Sequence, residues 1–157
     1  MKKIIKYPNQ ALKEVCSEVT EFNTDIHQLL VEMSQIMVDA KGMGLAANQI
    51  GVLNRILVMK DLTGRIWEII NPIITERSEE RILETEGCLS TPGVYVQISR
   101  HKMVNLEYQD KDGDRQFAVF MGIEAVCIQH EVDHLDGIFY IEKLNRQQRR
   151  SALRSIK

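Results

Sequence analysis

Apolar side chains recur at intervals of three and four residues in two stretches of the chain. From Asp25 to about Ala40 they form one stripe, which predicts an N-terminal amphipathic helix capped by Asn23 or Thr24. The stripe consists of Ile26, Leu29, Leu30, Met33, Ile36 and Met37. A second helix is predicted from about Gly122 to Leu135, with one face formed by Ile123, Val126, Cys127, His130 and His134. Two histidines therefore continue the buried stripe of the second helix.

The segments between these helices have the pattern of β-strands. Residues 55–60, 65–70 and 73–77 are short and rich in isoleucine, valine and leucine, which predicts three short strands. Met103–Gln109 and Arg115–Phe120 flank an Asp-Gly pair, which indicates a hairpin. Strands grouped between terminal helices favour an α+β fold, with antiparallel or mixed sheets packed around the central histidine-bearing helix.

Composition and length indicate an ordinary globular protein. It has 157 residues, of which 44% are hydrophobic and 27% charged, and it contains no repeat or flexible linker, so we expect a single catalytic domain over residues 1–157. Three cysteines form no disulfide framework, and no stretch has the length of a signal peptide core or a membrane span. These features favour a cytoplasmic protein that does not enter a membrane.

The charge of the chain argues against a nucleic-acid site. The net charge is −2, and only the C-terminal end is clearly basic. Its cationic residues are Lys143, Arg146, Arg149, Arg150, Arg154 and Lys157.

The predicted second helix carries the sequence His130-Glu131-Val132-Asp133-His134, which is an HExxH motif. A spacing of four residues places both imidazoles on one face of a helix, where they can share a metal ion. The adjacent glutamate can take a proton from water at such a metal. The alternative is a pair of core histidines that bond to backbone groups. The buried stripe favours the metal, because a divalent cation satisfies buried imidazoles better than scattered hydrogen bonds do.

A catalytic metal site of this kind needs a third protein ligand and one open position. Downstream of the motif the chain offers neither His nor Cys, so only Asp136 or Glu142 could serve there. Upstream, Cys88 follows a glycine in Glu86-Gly87-Cys88-Leu89-Ser90, and its thiolate is a good ligand for a divalent metal. We prefer Cys88. Cys16 is expected to be a lone, partly buried thiol in a polar segment, and Cys127 a small residue of a pocket wall.

Three separated blocks together resemble the signature motifs of peptide deformylases. They are Gly42-Met43-Gly44-Leu45-Ala46-Ala47-Asn48-Gln49, Glu86-Gly87-Cys88-Leu89-Ser90 and Gln129-His130-Glu131-Val132-Asp133-His134, and they occur in the order of that family. The likeness spans nearly the whole chain, from Tyr7-Pro8 to Leu135-Asp136-Gly137.

This resemblance implies one divalent metal ion bound by Cys88, His130 and His134. The metal is usually iron(II) in the family, and zinc, nickel or cobalt can replace it. The reaction would be hydrolysis of the N-formyl group of formylmethionine on nascent peptides, with release of formate. By the same resemblance the Gln49 amide and the Leu89 backbone N–H would stabilise the oxyanion, and Glu131 would deliver the proton to the departing nitrogen.

The resemblance also implies how the peptide binds. Gly44 would run beside the substrate as a partner strand, and the methionine side chain would occupy an apolar pocket. The matching pocket positions are Met43, Ile123, Val126 and the aliphatic stem of Glu86. Glu86 could alternatively be a hydrogen-bond acceptor behind the metal ligands, and Arg100 could pair with Asp133 beside the ligand helix. Neither His27 nor His101, which we place in a turn, belongs to the expected site, and both are expected to be exposed.

Two features depart from the family pattern. Where many bacterial relatives have a peptide-binding arginine, this chain has Tyr95. The chain also ends soon after Leu144, whereas many relatives continue through a longer helix that in some touches the ribosome. The basic C-terminal residues are therefore either a remnant of such a transient ribosome contact or a solvated helix end, and we prefer the solvated end. Apart from these two departures, we expect a monomer that binds formylmethionyl peptides.

Two other functions remain compatible with the motifs taken singly. An HExxH zinc endopeptidase would cleave ordinary peptide bonds, but its usual layout has no upstream cysteine ligand and no block like that around Gln49. A catalytically silent module with the same fold would have no chemical need for Glu131, Gln49 and all three ligands.

Overall fold

The computed structural model describes residues 1–156 and shows three α-helices and seven β-strands in that range. The helices are α1 (Thr24–Asp39), α2 (Ile123–Leu135) and α3 (Arg146–Ser155). The strands are β1 (Gly44–Ala46), β2 (Ile56–Lys60), β3 (Ile66–Arg77), β4 (Arg81–Cys88), β5 (Thr91–His101), β6 (Met103–Gln109) and β7 (Arg115–Met121). Short 3₁₀ helices occur at Gln10–Lys13, Ala47–Ile50 and Tyr140–Lys143.

The strands form two antiparallel sheets, which confirms the predicted α+β class. A five-stranded sheet has the order β1-β2-β3-β6-β7, and β4 and β5 form a separate two-stranded sheet. The hairpin predicted around Asp112-Gly113 is the β6–β7 pair, with Gln109 opposite Arg115. The β4–β5 pair closes with Cys88 opposite Thr91, so only Leu89 and Ser90 form its turn.

The two long helices cover opposite faces of the five-stranded sheet. Helix α1 begins at the Asn23 cap, whose side chain accepts a hydrogen bond from the Ile26 N–H at 3.2 Å. Its buried residues pack with Leu45, Ile56 and Val58. Helix α2 packs with the alternate residues of the same strands, Leu57 and Met59 among them. Strand β2 is therefore buried on both faces, which explains its continuous apolar run.

The structure corrects several local expectations. The two strands expected at 65–70 and 73–77 are one strand, β3, which continues through an irregular register between Ile70 and Ile73. The turn expected around residues 99–102 is wrong, because Ser99, Arg100 and His101 belong to β5. Strands β4 and β5 lack a clear apolar alternation, since they bury the charged side chains of Glu86 and Arg100 against each other.

Three side chains are less exposed than expected. His101 is half-buried, and its Nδ1 lies 2.7 Å from the Ser78 carbonyl oxygen. His27 is also half-buried, beside the Lys111 carbonyl. Cys16, expected to be only partly buried with nothing around it, is 4% exposed and packs in the core with α2. Burial raises the pKa of the Cys16 thiol to about 11, so it remains protonated at neutral pH.

The C-terminal end is a short helix with a basic surface. In α3 the four arginines are exposed and Ala152 is buried. Lys157, the last member of the basic cluster, lies outside the described residues. No helix within residues 1–156 combines the length and apolar character needed to cross a bilayer.

Gly137, directly after α2, is a position where the fold requires glycine. Its φ is +73°, and a Cβ there would lie 2.5 Å from the Lys13 carbonyl oxygen. We expect Gly137→Ala to lower the free energy of unfolding by about 2–3 kcal/mol, through left-handed strain and a backbone clash. The measurement is urea unfolding followed by Trp67 fluorescence.

Gly64 is the matched control for this substitution. Its φ is +90°, but a Cβ there would meet nothing within 4 Å. Gly64→Ala should therefore cost only the left-handed strain, about 1 kcal/mol. An equal loss in the two variants would contradict the role of the Lys13 contact.

Candidate functional site

The C-terminal half of α2 and the end of β4 bring three metal-ligating side chains together. Among the described residues, potential ligand atoms of Cys88, His130 and His134 all lie within 4.8 Å of one another. The Cys88 Sγ and the His134 Nε2 are 3.3 Å apart. Sulfur and nitrogen ligands of one tetrahedral zinc-sized ion are about 3.6 Å apart, so this spacing suits a single shared cation. A thiolate with two imidazoles is also a donor set that divalent first-row metals accept.

A chain of buried charges orients His130 from behind. The His130 Nδ1 lies 2.8 Å from Glu86 Oε1, which leaves its Nε2 for the Cys88 side. Arg100 donates two hydrogen bonds to the Glu86 carboxylate, at 2.9 and 3.0 Å, and a third to Asp133 at 2.5 Å. A carboxylate behind a ligand histidine fixes its tautomer and its ring orientation. The expected contact between Arg100 and Asp133 is thus part of a longer network that reaches a ligand.

Hydrogen bonds keep Glu86 and Arg100 charged although both are buried. Burial raises the pKa of Glu86, but hydrogen bonds from His130 and Arg100 outweigh burial and lower that pKa below its usual value. Burial lowers the pKa of His130, but in the protein alone its contacts with Cys88 and Glu86 raise the pKa to about 10. A cation bound at the Nε2 would take the place of that proton, because a ligand imidazole is neutral. Burial and the positive charge of His130 lower the pKa of His134 far below its ordinary value.

Glu131 lies beside the three possible metal ligands and is largely shielded from solvent. It is 4% exposed, and its Oε2 atom has no hydrogen-bond partner within residues 1–156. Burial raises its pKa to about 7, although the His130 charge opposes this shift. A carboxyl group with such a pKa can both hold and release a proton near neutral pH.

Gly44 allows strand β1 to approach this carboxylate. A Cβ on Gly44 would lie 2.9 Å from Glu131 Oε1 and 2.8 Å from the Cys127 sulfur. Only glycine therefore fits between β1 and α2 at this point. Strand β1 is an edge of its sheet, paired with β2 on one side only.

Gln49 and Leu89 supply hydrogen-bond donors near Cys88. The Gln49 side chain is 1% exposed, and its Oε1 accepts from the Ala46 N–H at 3.0 Å, which directs the Nε2 group outward. That Nε2 lies 3.4 Å from Cys88 Sγ and 3.2 Å from Ser90 Oγ. Leu89 follows Cys88 in the two-residue turn, and its N–H has no acceptor in the part of the chain that the structure describes.

A cavity of about 520 Å³ opens over these groups. All five residues expected to bind substrate line it: Met43, Gly44, Glu86, Ile123 and Val126. Cys88, His130, Glu131 and Gln49 line the same cavity, as does Cys127, the expected wall residue. The structure therefore places the predicted chemistry and the predicted pocket in one space.

The alternative downstream ligands lie elsewhere. Asp136 is exposed and pairs with Arg55 at 2.9 Å, and Glu142 is exposed on the 3₁₀ helix after α2. Neither belongs to the cluster of possible metal ligands found among residues 1–156.

Sequence reasoning missed several residues around the site. Phe139 and Tyr140 pack their rings 5.7 Å from His134 and 5.3 Å from His130, between ring centroids. Their position directly after α2 was a signal, because an apolar pair there has to fold back onto the helix. Lys6 and Lys41 also line the cavity, but nothing in their local sequence distinguishes them from other exposed lysines.

The chain is similar to known proteins of one family. Residues 1–150 match the family model described as polypeptide deformylase. A peptide deformylase of Maricaulis maris is 39% identical over 162 residues, covering 100% of this chain and 92% of the relative. One of Fusobacterium nucleatum is 43% identical over 150 residues, covering 94% and 86%. The crystal structure of peptide deformylase from Thermus thermophilus is similar with a TM-score of 0.93 and 37% identity, covering 99% of this chain and 92% of that one.

Proposed function

The chain belongs to the polypeptide deformylase family, whose reaction removes N-formyl groups from nascent polypeptides, and from this premise we propose which of its residues perform that reaction. The family is metal-dependent. We assign the metal to Cys88, His130 and His134, because these three residues converge with a spacing that suits one cation. Iron(II) is the proposed native metal, and zinc, nickel or cobalt could occupy the same donor set. The metal content of protein purified without oxygen tests this assignment.

The proposed reaction is hydrolysis of the formyl amide. A divalent cation held by the three ligands would supply a Lewis acid and would make a nearby water acidic enough to attack near neutral pH. As that water adds to the formyl carbon, negative charge develops on the formyl oxygen. The Gln49 Nε2 group and the Leu89 N–H are the donors positioned to stabilise this charge. Both are held by the fold before substrate arrives.

Glu131 is the proposed carrier of the proton. Its unpartnered Oε2 can accept the proton of the attacking water, and its raised pKa lets it release that proton again. When the carbon–nitrogen bond breaks, the proton passes from Glu131 to the departing nitrogen. The products are formate and a free amino terminus: one proton of the water reaches the nitrogen through Glu131, and the other leaves the new carboxylic acid for the amine or for solvent.

The peptide is proposed to lie against β1, as an added strand on the free edge at Gly44. The methionine side chain would enter the apolar part of the cavity, between Met43, Ile123 and Val126. Glu86 contributes its methylene groups there, since its carboxylate is held by Arg100 and His130. Tyr95, which is 70% exposed at the same cavity, stands where the residues after methionine would pass.

The decisive test is formate release from formyl-Met-Ala-Ser. Protein prepared anaerobically with iron(II) or nickel(II) should release formate. The same protein should not cleave a control peptide that is acetylated and carries no formyl group. Failure of fully metallated protein to release formate would sink the proposal. Cleavage of the control peptide would favour the endopeptidase. No reaction with either peptide would favour the catalytically silent module.

The domain organisation, oligomeric state and cellular location of the enzyme can also be proposed. We infer that residues 1–157 work as one catalytic domain, as a monomer in the cytoplasm, where three unpaired cysteines would stay reduced. The exposed arginines of α3 form a basic face, which a transient contact with ribosomal surfaces would use. Unchanged ribosome co-sedimentation after deletion from Gln147 onward would exclude that contact. A sedimentation mass above that of one chain would exclude the monomer.

A further inference from the structure

The N-terminal segment before the first 3₁₀ helix reaches across to the turn between β4 and β5. Three consecutive residues take part, and each binds a different carbonyl oxygen of the site. The Ile5 N–H donates to the Gln49 carbonyl at 2.7 Å, and the Tyr7 N–H donates to the Ser90 carbonyl at 3.0 Å. Between them the Lys6 Nζ donates to the Leu89 carbonyl at 2.9 Å. We call residues 5–7 the N-terminal strap.

The strap joins the two elements that carry the proposed oxyanion donors. Gln49 lies in the 3₁₀ helix 47–50, and Leu89 lies in a two-residue turn some forty positions later. The Gln49 side chain contacts Cys88 and Ser90. The 3₁₀ helix follows β1 of the larger sheet, however, whereas the turn closes the separate β4–β5 sheet. The strap adds backbone bonds to both elements. It can therefore set the distance between the Gln49 amide and the Leu89 N–H.

Lys6 restrains the Leu89 carbonyl, which neither of the two backbone bonds reaches. The carbonyl of Leu89 belongs to the peptide group that follows the donating N–H, so a bond to it limits rotation about the Leu89 backbone. Because the turn has only two residues, such rotation would swing the Leu89 N–H away from the cavity. The bond is charge-assisted, which makes it stronger than a neutral one. Lys6 also lines the cavity, so its ammonium group adds positive potential where negative charge develops.

We propose that Lys6 is a positioning residue that, through the Leu89 carbonyl, aims the Leu89 N–H at the oxyanion of the deformylation reaction. This inference rests on the proposed function of Leu89 and deepens it. The interaction matters mainly in the transition state, since the oxyanion exists only there. Loss of Lys6 should therefore lower kcat and leave KM nearly unchanged.

The test compares Lys6→Met, Lys6→Arg and Lys3→Met in the metal-loaded enzyme. Lys6→Met keeps most of the apolar stem of the side chain but removes the donor and the charge. Its kcat should fall about tenfold, less than the 10²–10³ expected for loss of a whole oxyanion donor. Lys6→Arg should recover most of the rate, because a guanidinium can make the same bond. Lys3, exposed on the same segment, is the control for charge alone, and Lys3→Met should match the wild type.

Amide hydrogen exchange of the peptide covering Cys88 to Thr91 gives a second measurement that does not depend on activity. Faster exchange in Lys6→Met, with wild-type exchange in Lys3→Met and equal metal content in all variants, would support the proposal. Unchanged exchange and kcat in Lys6→Met would overturn it, and so would an equal fall in kcat in all three variants. An inactive wild type would instead refute the proposed function, while the exchange rates would still decide whether Lys6 holds the turn.

Discussion

Replacing Glu131 with glutamine is expected to slow formate release by about 10²- to 10⁴-fold, because the reaction then loses its general acid and base. Glutamine has nearly the same size and can fill the same buried space. It cannot accept the proton of the attacking water, nor hand that proton to the departing nitrogen. The expected loss should appear in kcat, since the group acts on the reacting atoms rather than on substrate binding.

The measurement is the rate of formate release, with metal content determined on the same samples. Glu131 is not among the three proposed ligands, so the variant should bind as much metal as the wild type. Glu142→Gln makes the same chemical change at an exposed position and should leave the rate unaltered. If Glu131→Gln retains more than about a tenth of the wild-type kcat, Glu131 is not the proton carrier.

Arg100→Met is expected to lower the free energy of unfolding by about 3–5 kcal/mol, the usual cost of removing one partner from a buried ion pair. The side chain of Arg100 is 5% exposed, and that of Glu86 is 4% exposed. Without the guanidinium, Glu86 loses two hydrogen bonds and Asp133 loses one, while Lys143 at 3.4 Å remains the only cation in contact with Asp133 among the described residues. Methionine fills part of the space but carries no charge.

The experiment is urea unfolding of the metal-free proteins, so that altered metal affinity does not enter the result. Arg115→Met is the matched control, since Arg115 also pairs with a glutamate across neighbouring strands but is 68% exposed. Loss of the Arg115–Glu107 pair should lower the free energy of unfolding by at most about 1 kcal/mol. A similar small cost for Arg100→Met would show that the buried network does not stabilise the fold. Metal titration of the variants would add a second result, because a misaligned His130 should weaken metal binding by about 10- to 100-fold.

The elements that could be predicted from the sequence are those with a regular apolar period. Helices α1 and α2 have such a period, and so does the β6–β7 hairpin with its Asp-Gly turn. Strands β4 and β5 could not be found in this way, because their buried positions include Glu86 and Arg100. A charged residue in a strand predicts exposure unless its partner is known, and here the partner lies fourteen positions away on the neighbouring strand.

The site residues that could be predicted are likewise those with a local sequence pattern. The spacing of His130 and His134 needs only a helix to bring the two rings together, and Cys88 was the best remaining thiol. The position of Lys6 depends instead on where the N-terminal segment folds back, which no local pattern encodes. The apolar pair Phe139-Tyr140 after α2 was a signal that went unused. Lys6 in particular is an exposed lysine by composition and a site residue only because Leu89 lies beside it.

The way in which the site is divided along the chain also bears on folding kinetics. The strap lies at residues 5–7 and the proposed metal ligands at 88, 130 and 134, and the bond from Lys6 to Leu89 joins positions 83 residues apart. Such distant contacts are slow to form and tend to appear late in folding. Metal uptake during refolding should therefore lag behind the recovery of helical signal, and the metal-to-protein ratio of a preparation would measure the fraction of molecules that have finished folding.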